Sequence, residues 1–198
     1  MKVIGLTGGV GSGKSTVAHL MEQEYHAKLL IADDIGYALS LKGAPCFDKI
    51  TALFSKEYGN TILDELGELN RRRIAEIVFE KRDYLDQMNE IIHPAVKEII
   101  KKQLVKYRES GEKLAVIESA ILIGAGYEEI CDEFVLVTVP YDIRKRRLME
   151  KRGYSEEKIK DILKHQLPEE EMRKYCSHVL VNDGELKKIK KQLDFLLV

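Results

Sequence analysis

An α/β architecture, with a five-stranded parallel sheet flanked by helices, is the fold class this sequence predicts. Three observations carry it. Five short apolar runs punctuate the chain, stretches of helical periodicity separate them, and a glycine-rich turn directly follows the first run. Continuous Val/Ile/Leu content suits strands covered on both faces rather than one. Parallel neighbours need crossovers, and the helical stretches supply them.

The first strand spans Val3–Leu6, and residues 6–16 then read LTGGVGSGKST. Glycine weakens regular structure by roughly 0.5–1 kcal/mol relative to alanine. A stretch that accepts this repeatedly is bringing backbone close to something. Gly8, Gly13, Lys14 and Ser15 match G-x-x-x-x-G-K-[ST], a loop whose inward N–H groups form an anion-binding nest at a helix N-terminus. With glycine near 7% of residues, chance supplies this pattern in roughly one chain of this length in a hundred. The context sharpens it: a strand precedes the loop, and Val17, Leu20, Met21 and Glu24 follow at helical spacing. The P-loop NTPase fold is therefore expected. Gly8, Gly9, Gly11, Ser12, Gly13, Lys14, Ser15 and Thr16 form its ATP-binding loop. Lys14 reaches the β- and γ-phosphates, and the Ser15 hydroxyl meets Mg²⁺.

The second strand, Lys28–Ala32, ends in Asp33-Asp34. Asp34 suits the N-cap of a helix beginning at Ile35, which leaves Asp33 for chemistry at the strand's carboxyl end. From Asp33 to Lys113 the gap far exceeds one crossover. It holds helical patterns at Pro45–Tyr58, Asn70–Glu80, Asp83–Ile92 and Pro94–Glu109, with Pro94 suited to a first turn. This predicts a helical, substrate-facing insertion. The remaining strands are Leu114–Glu118, Phe134–Val139 and Val179–Val181, and a basic helical excursion at Tyr141–Tyr175 lies where a lid would sit. The expected division is a nucleotide-binding core (1–33, 112–140 and 175–198), a helical substrate domain (34–111) and a helical lid (141–174). In open α/β sheets ligands bind beyond the strands' carboxyl ends. Three of the five ends carry carboxylates, at Asp33, Glu118 and Asp183, which suits Mg²⁺ and proton handling.

Composition narrows the partners. A formal net charge of −1 across 198 residues argues against a general nucleic-acid binder, and the tyrosines show no stacking pattern. Cys46, Cys131 and Cys176 are odd in number and widely spaced, as expected of reduced thiols in a cytoplasmic protein. The apolar start is too short for a signal-peptide core, and no run approaches a membrane span.

These motifs together resemble the dephospho-coenzyme A kinase family over nearly the whole chain. The resemblance rests on LTGGVGSGKST, Ala32-Asp33-Asp34-Ile35, Gly67-Glu68-Leu69-Asn70-Arg71, Ile77-Val78-Phe79 and Ile92-His93-Pro94. It continues through Gln166-Leu167-Pro168 and His178-Val179-Leu180-Val181-Asn182-Asp183-Gly184. The phosphate loop alone specifies only a superfamily; the Leu-Asn-Arg and His-Pro elements narrow it.

The resemblance implies transfer of the ATP γ-phosphoryl group to the ribose 3′-hydroxyl of dephospho-CoA, with Mg²⁺. It makes Asp33 the base, Lys14 and Arg147 its catalytic cations, and Asn182 a nucleotide-binding residue. Thr7, Asp33, Arg71 and His93 face the substrate, while Ser15 and Glu118 serve the metal. Arg72 and Arg73 are read as solvated. The sequence departs from the family pattern at Ile31, at Glu118-Ser119-Ala120 in place of Asp-x-Pro, and at Lys151-Arg152 and Ile162 in the lid. Partners are ATP and dephospho-CoA, without nucleic acid or membrane, in a monomer or weak homo-oligomer. Another P-loop kinase acting on a nucleoside or nucleoside monophosphate is the alternative. A nucleotide switch is disfavoured, because no Asn-Lys-x-Asp element appears.

Overall fold

The computed structural model describes residues 1–197. It divides into two compact units, one of residues 1–31 with 105–198 and one of residues 32–104. In the first, strands β1 (Lys2–Thr7), β2 (Lys28–Ile31), β3 (Leu114–Glu118), β4 (Glu133–Thr138) and β5 (His178–Val181) form one sheet ordered β2-β3-β1-β4-β5. Every pairing is parallel. β1 and β4 bury everything but their first residues, as continuous apolar runs require. Helices α1 (Lys14–Tyr25) and α9 (Leu186–Leu197) cover the sheet, with Val17, Met21, Ile189 and Leu193 in its core. Burying a side chain of this size contributes roughly 1.5–3 kcal/mol.

The register fixes the chemical edge. Leu6 lies opposite Glu118, so β3 ends its carboxylate beside the exit of β1. Asn182 follows β5, and its N–H donates to Thr138 O of β4 at 2.8 Å. Between β4 and β5 run α6 (Tyr141–Arg152), α7 (Glu156–His165) and α8 (Glu169–Arg173).

The second unit contains α2 (Ala32–Leu39), α3 (Phe47–Tyr58), a 3-10 turn at Gly59–Ile62, α4 (Arg71–Glu80) and most of α5 (Arg82–Glu109). Phe54, Ile50, Ile62 and Ile77 are buried within it, and Phe54 stacks on Tyr84 with ring centroids 5.0 Å apart.

Two expectations need correction here. The patterns at Asp83–Ile92 and Pro94–Glu109 form one 28-residue helix, with Pro94 in its interior. Proline removes one N–H from the ladder, but Val96, Ile100 and Leu104 bury a continuous stripe beyond it. That burial carries the helix through the missing bond. Helix α2 begins at Ala32, not Ile35, so both Asp33 and Asp34 occupy its first turn. Two carboxylates there are favoured by the helix dipole without either serving as the cap.

Candidate active site

The site is built first from backbone. Gly13 adopts φ 85° and ψ 30° immediately before α1, with no side-chain cap on the helix. The first-turn N–H groups of α1 are thereby left for an anion, strengthened by the helix dipole. A Cβ at Gly13 would lie 2.1 Å from Asn182 Nδ2, so only glycine fits the approach. Asn182 is buried, and its Nδ2 donates to Ser12 O at 2.9 Å. The Lys14 ammonium folds back over the loop and donates to Gly8 O at 2.9 Å.

Side chains complete the edge. Ser15 Oγ donates to Glu118 Oε2 at 3.3 Å, and Lys14 Nζ stands 3.8 Å from Glu118 Oε1. Glu118 is only 4% exposed. A buried carboxylate of this kind persists because a hydroxyl and an ammonium face it. One hydroxyl and one carboxylate are hard oxygen donors suited to Mg²⁺. Among the described residues no cluster of three or more acidic, histidine or cysteine side chains could cage a metal. Such a partial set fits an ion that keeps waters and phosphate oxygens in its shell.

Arg147 of α6 donates from Nη2 to Asn182 Oδ1 at 3.3 Å. Its buried Nη1 has no hydrogen-bond partner among the described residues. The guanidinium lies between Gly13 and Gly184: a Cβ on Gly13 would be 3.5 Å from Nη1, and one on Gly184 3.4 Å from Nη2. Thr7 Oγ1 and Ser12 Oγ are likewise buried and partnerless. Ser12 Oγ would lie 3.0 Å from a Cβ placed on Gly8, against the loop's own backbone. Gly9 and Gly11 sit in the loop, and Thr16 is exposed in the first turn of α1.

The second unit holds the other predicted residues. Asp33 and His93 lie in α2 and α5. Burial pushes the His93 imidazole below its ordinary pKa, and the Asp33 carboxylate pulls partly back. Arg71 opens α4 after Asn70, whose Oδ1 caps the helix by accepting from Arg73 N at 3.1 Å. The Arg71 guanidinium stacks 3.9 Å from the Tyr37 ring centroid and donates to Ser40 Oγ at 3.1 Å. Arg72 and Arg73, read from sequence as solvated, pair with Glu76, Arg72 exposed and Arg73 half-buried.

A second polar cluster was not singled out from sequence. Glu169 accepts from Thr138 Oγ1 at 2.7 Å, Arg173 Nη2 at 2.9 Å and Arg144 Nη2 at 3.2 Å. Burial alone raises the Glu169 pKa, yet the hydrogen bonds from Thr138 and Arg173 and the charges of Arg144 and Arg173 outweigh it and hold the carboxyl below its usual range. Nearby, Gln166 Oε1 accepts the Val10 N–H at 3.0 Å. Only the Arg144 cluster of basic residues and the Gln-Leu-Pro triplet hinted at this in the sequence.

A phosphate loop, a buried carboxylate facing its serine and a capped basic helix fit many kinases, so the comparisons with known proteins decide the family. The profile of the family described as Dephospho-CoA kinase matches residues 2–188. The chain belongs to the dephospho-CoA kinase family. A dephospho-CoA kinase from Aquifex aeolicus is 36% identical over 193 residues, covering 98% of this chain and 94% of the relative. One from Bacillus cereus is 34% identical over 195 residues, covering 98% and 95%. A crystal structure from Thermus thermophilus superposes with a TM-score of 0.81 at 30% identity, covering 99% of this chain and 96% of that one. A shikimate kinase from Bacteroides thetaiotaomicron, at a TM-score of 0.52 and 14% identity over 98% of this chain and 95% of its own, shares the fold. The family match runs through the whole of the second unit, which a phosphate loop by itself does not require.

Proposed function

We propose that the chain transfers the γ-phosphoryl group of ATP to the ribose 3′-hydroxyl of dephospho-CoA, giving coenzyme A in the last step of its biosynthesis. The observation that carries this reading is the family match across residues 2–188. The phosphate loop alone serves many acceptors.

Phosphoryl transfer asks the protein for positioning and charge neutralisation more than covalent chemistry. The loop Gly8–Thr16, through its N–H groups other than those of Val10 and Ser12, and the Lys14 ammonium hold the phosphate chain. Ser15 and Glu118 are the residues that would hold Mg²⁺, which neutralises charge on the β- and γ-oxygens when bound. Asp33 takes the proton of the attacking hydroxyl. Arg71, whose guanidinium is stacked on Tyr37 and still exposed, binds substrate phosphate with Thr7 and His93 completing the acceptor contacts. Arg147 meets the nucleotide on the α1 side of the loop, an assignment supported by its buried, partnerless Nη1. Asn182 serves the nucleotide by bracing the loop carbonyl of Ser12 and by holding Arg147.

In this reading 34–111 forms the substrate domain and 141–174 the lid, around a core of 1–33, 112–140 and 175–198. The enzyme works in the cytoplasm as a monomer or weak homo-oligomer; among the described residues no helix is long and apolar enough to cross a membrane. The test is ADP release with ATP and Mg²⁺ across dephospho-CoA, adenosine, AMP and pantetheine 4′-phosphate. Turnover is expected with dephospho-CoA. Comparable turnover with AMP and none with dephospho-CoA overturns the reading.

A further inference from the structure

We propose that Gln166 is a positioning residue for phosphoryl transfer, acting through the Gly9–Val10 peptide of the phosphate loop. This rests on the ATP-dependent reading above and adds to it a residue that sequence gave no role. Gln166 follows the last residue of α7 in extended conformation, with φ −86° and ψ 152°. Its Oε1 accepts the Val10 N–H at 3.0 Å across 156 residues of sequence. The carboxamide orientation follows from chemistry: a backbone N–H only donates, so the facing atom is the oxygen.

The consequence comes from peptide geometry. In a trans peptide the N–H and the preceding C=O point in opposite directions in one plane. A Val10 N–H held by Gln166 therefore aims Gly9 O the other way. There Gly9 O accepts Ser12 N–H at 3.2 Å and faces Lys14 Nζ at 3.5 Å. The flanking residue is glycine, which allows this peptide plane to rotate more freely than any other residue would. One side-chain oxygen on the lid segment thus sets which way a loop carbonyl points, and that carbonyl helps aim the lysine ammonium.

The lid segment is itself anchored. Three residues beyond Gln166, Glu169 holds Thr138 at the end of β4 and Arg144 of α6. Arg144 also borders the same spot, since a Cβ on Gly9 would lie 3.1 Å from Arg144 Nη1 and 3.3 Å from Gln166 Oε1. A carboxylate replacing the carboxamide would meet this guanidinium.

That arrangement separates an acceptor's role from mere packing. Gln166→Met keeps the length of the side chain but has no oxygen for Val10, whereas Gln166→Glu keeps the acceptor and gains Arg144 as counter-charge. Steady-state kinetics with ATP and dephospho-CoA, calorimetric ADP affinity and thermal melting are measured for both and for the unaltered chain. Gln166→Met is expected to lower kcat/KM for ATP about tenfold, the scale of one hydrogen bond, with the KM for dephospho-CoA unchanged. Gln166→Glu is expected to recover to within about threefold of the unaltered enzyme by the same reasoning. Unaltered kinetics in Gln166→Met, or equal impairment of the two variants, overturns the proposal. Melting curves distinguish misfolding, because a loss confined to stability is equally an overturning result. If the unaltered chain fails to phosphorylate dephospho-CoA, the reading of the acceptor fails instead. The ADP affinities still test Gln166 in that case: weakening in Gln166→Met with recovery in Gln166→Glu supports it, and no difference overturns it.

Discussion

The nucleotide side and the helical unit of this protein are assembled on different principles. At the phosphate loop the candidate binding groups are mostly backbone, and that backbone is held by side chains remote in sequence. Asn182 reaches Ser12 and Gln166 reaches Val10 from the other end of the chain. In the unit of residues 32–104 the candidate groups are side chains, facing other side chains of that same unit. Arg71 rests on Tyr37 and Ser40, and His93 senses Asp33. A phosphate is the same for every nucleotide, so a fixed backbone cradle suits it. An acceptor is particular, and side chains on helices can be exchanged without rebuilding a sheet.

The contrast predicts how each region breaks. The largest effect is expected on the helical side: Asp33→Asn removes the proposed proton acceptor and should lower kcat by roughly 10²–10⁴. ATP binding should stay near normal, because Asp33 lies outside the loop. Isothermal titration with a non-hydrolysed ATP analogue, alongside single-turnover rates, checks both halves. A near-normal kcat would reduce Asp33 to one more carboxylate in the first turn of α2. On the nucleotide side, Lys14→Ala should lower kcat by about 10²–10³ and also weaken ATP binding, the scale of losing one charge-stabilising donor. If Lys14→Ala spared binding while Asp33→Asn abolished it, the division between the two regions would be reversed.

A smaller effect sharpens the picture within α6. Arg147→Ala should lower kcat/KM for ATP by about 10–100-fold, as expected for one charged hydrogen-bonding group. Arg152→Ala should be close to neutral, because Arg152 is exposed at the end of α6. Equal, small effects would remove Arg147 from the site and leave α6 a solvated basic helix.

The same contrast explains what could be read from sequence. The phosphate loop was legible because its chemistry is local: glycines, lysine and serine occur within eight positions of one motif. The central strands β1, β3 and β4 were legible because burial on both faces demands unbroken apolar runs. The continuity of α5 was not, since proline suits a first turn and disfavours an interior, and only the burial of Val96, Ile100 and Leu104 carries the helix through it. The start of α2 was misplaced for a related reason: an aspartate before a helix reads as a cap until the dihedrals show it inside. Gln166, Glu169 and Arg144 had motif or charge but no visible partner. Their contacts depend on how β4, α6 and α8 return to the loop, which no local pattern encodes.

The smallest expected effect is a pH dependence that tests the coupling inside the helical unit. Burial lowers the His93 pKa, while the unfolded chain titrates near the ordinary value of about 6.5. Between those two pH values the unfolded state binds more protons than the folded one. Stability therefore falls as pH drops from about 6.5 toward the lowered folded pKa, and the His93 contribution is constant above about 6.5. His93→Gln removes the titration and should flatten that part of the stability curve relative to the unaltered chain. Asp33 supplies the opposing pull, so Asp33→Asn should move the His93 transition to still lower pH. Nuclear magnetic resonance of the imidazole, followed in both backgrounds, reads the shift directly. An unchanged His93 titration in Asp33→Asn would mean the two groups do not communicate, and the helical unit would then present its acceptor-side residues independently, as the phosphate loop does not.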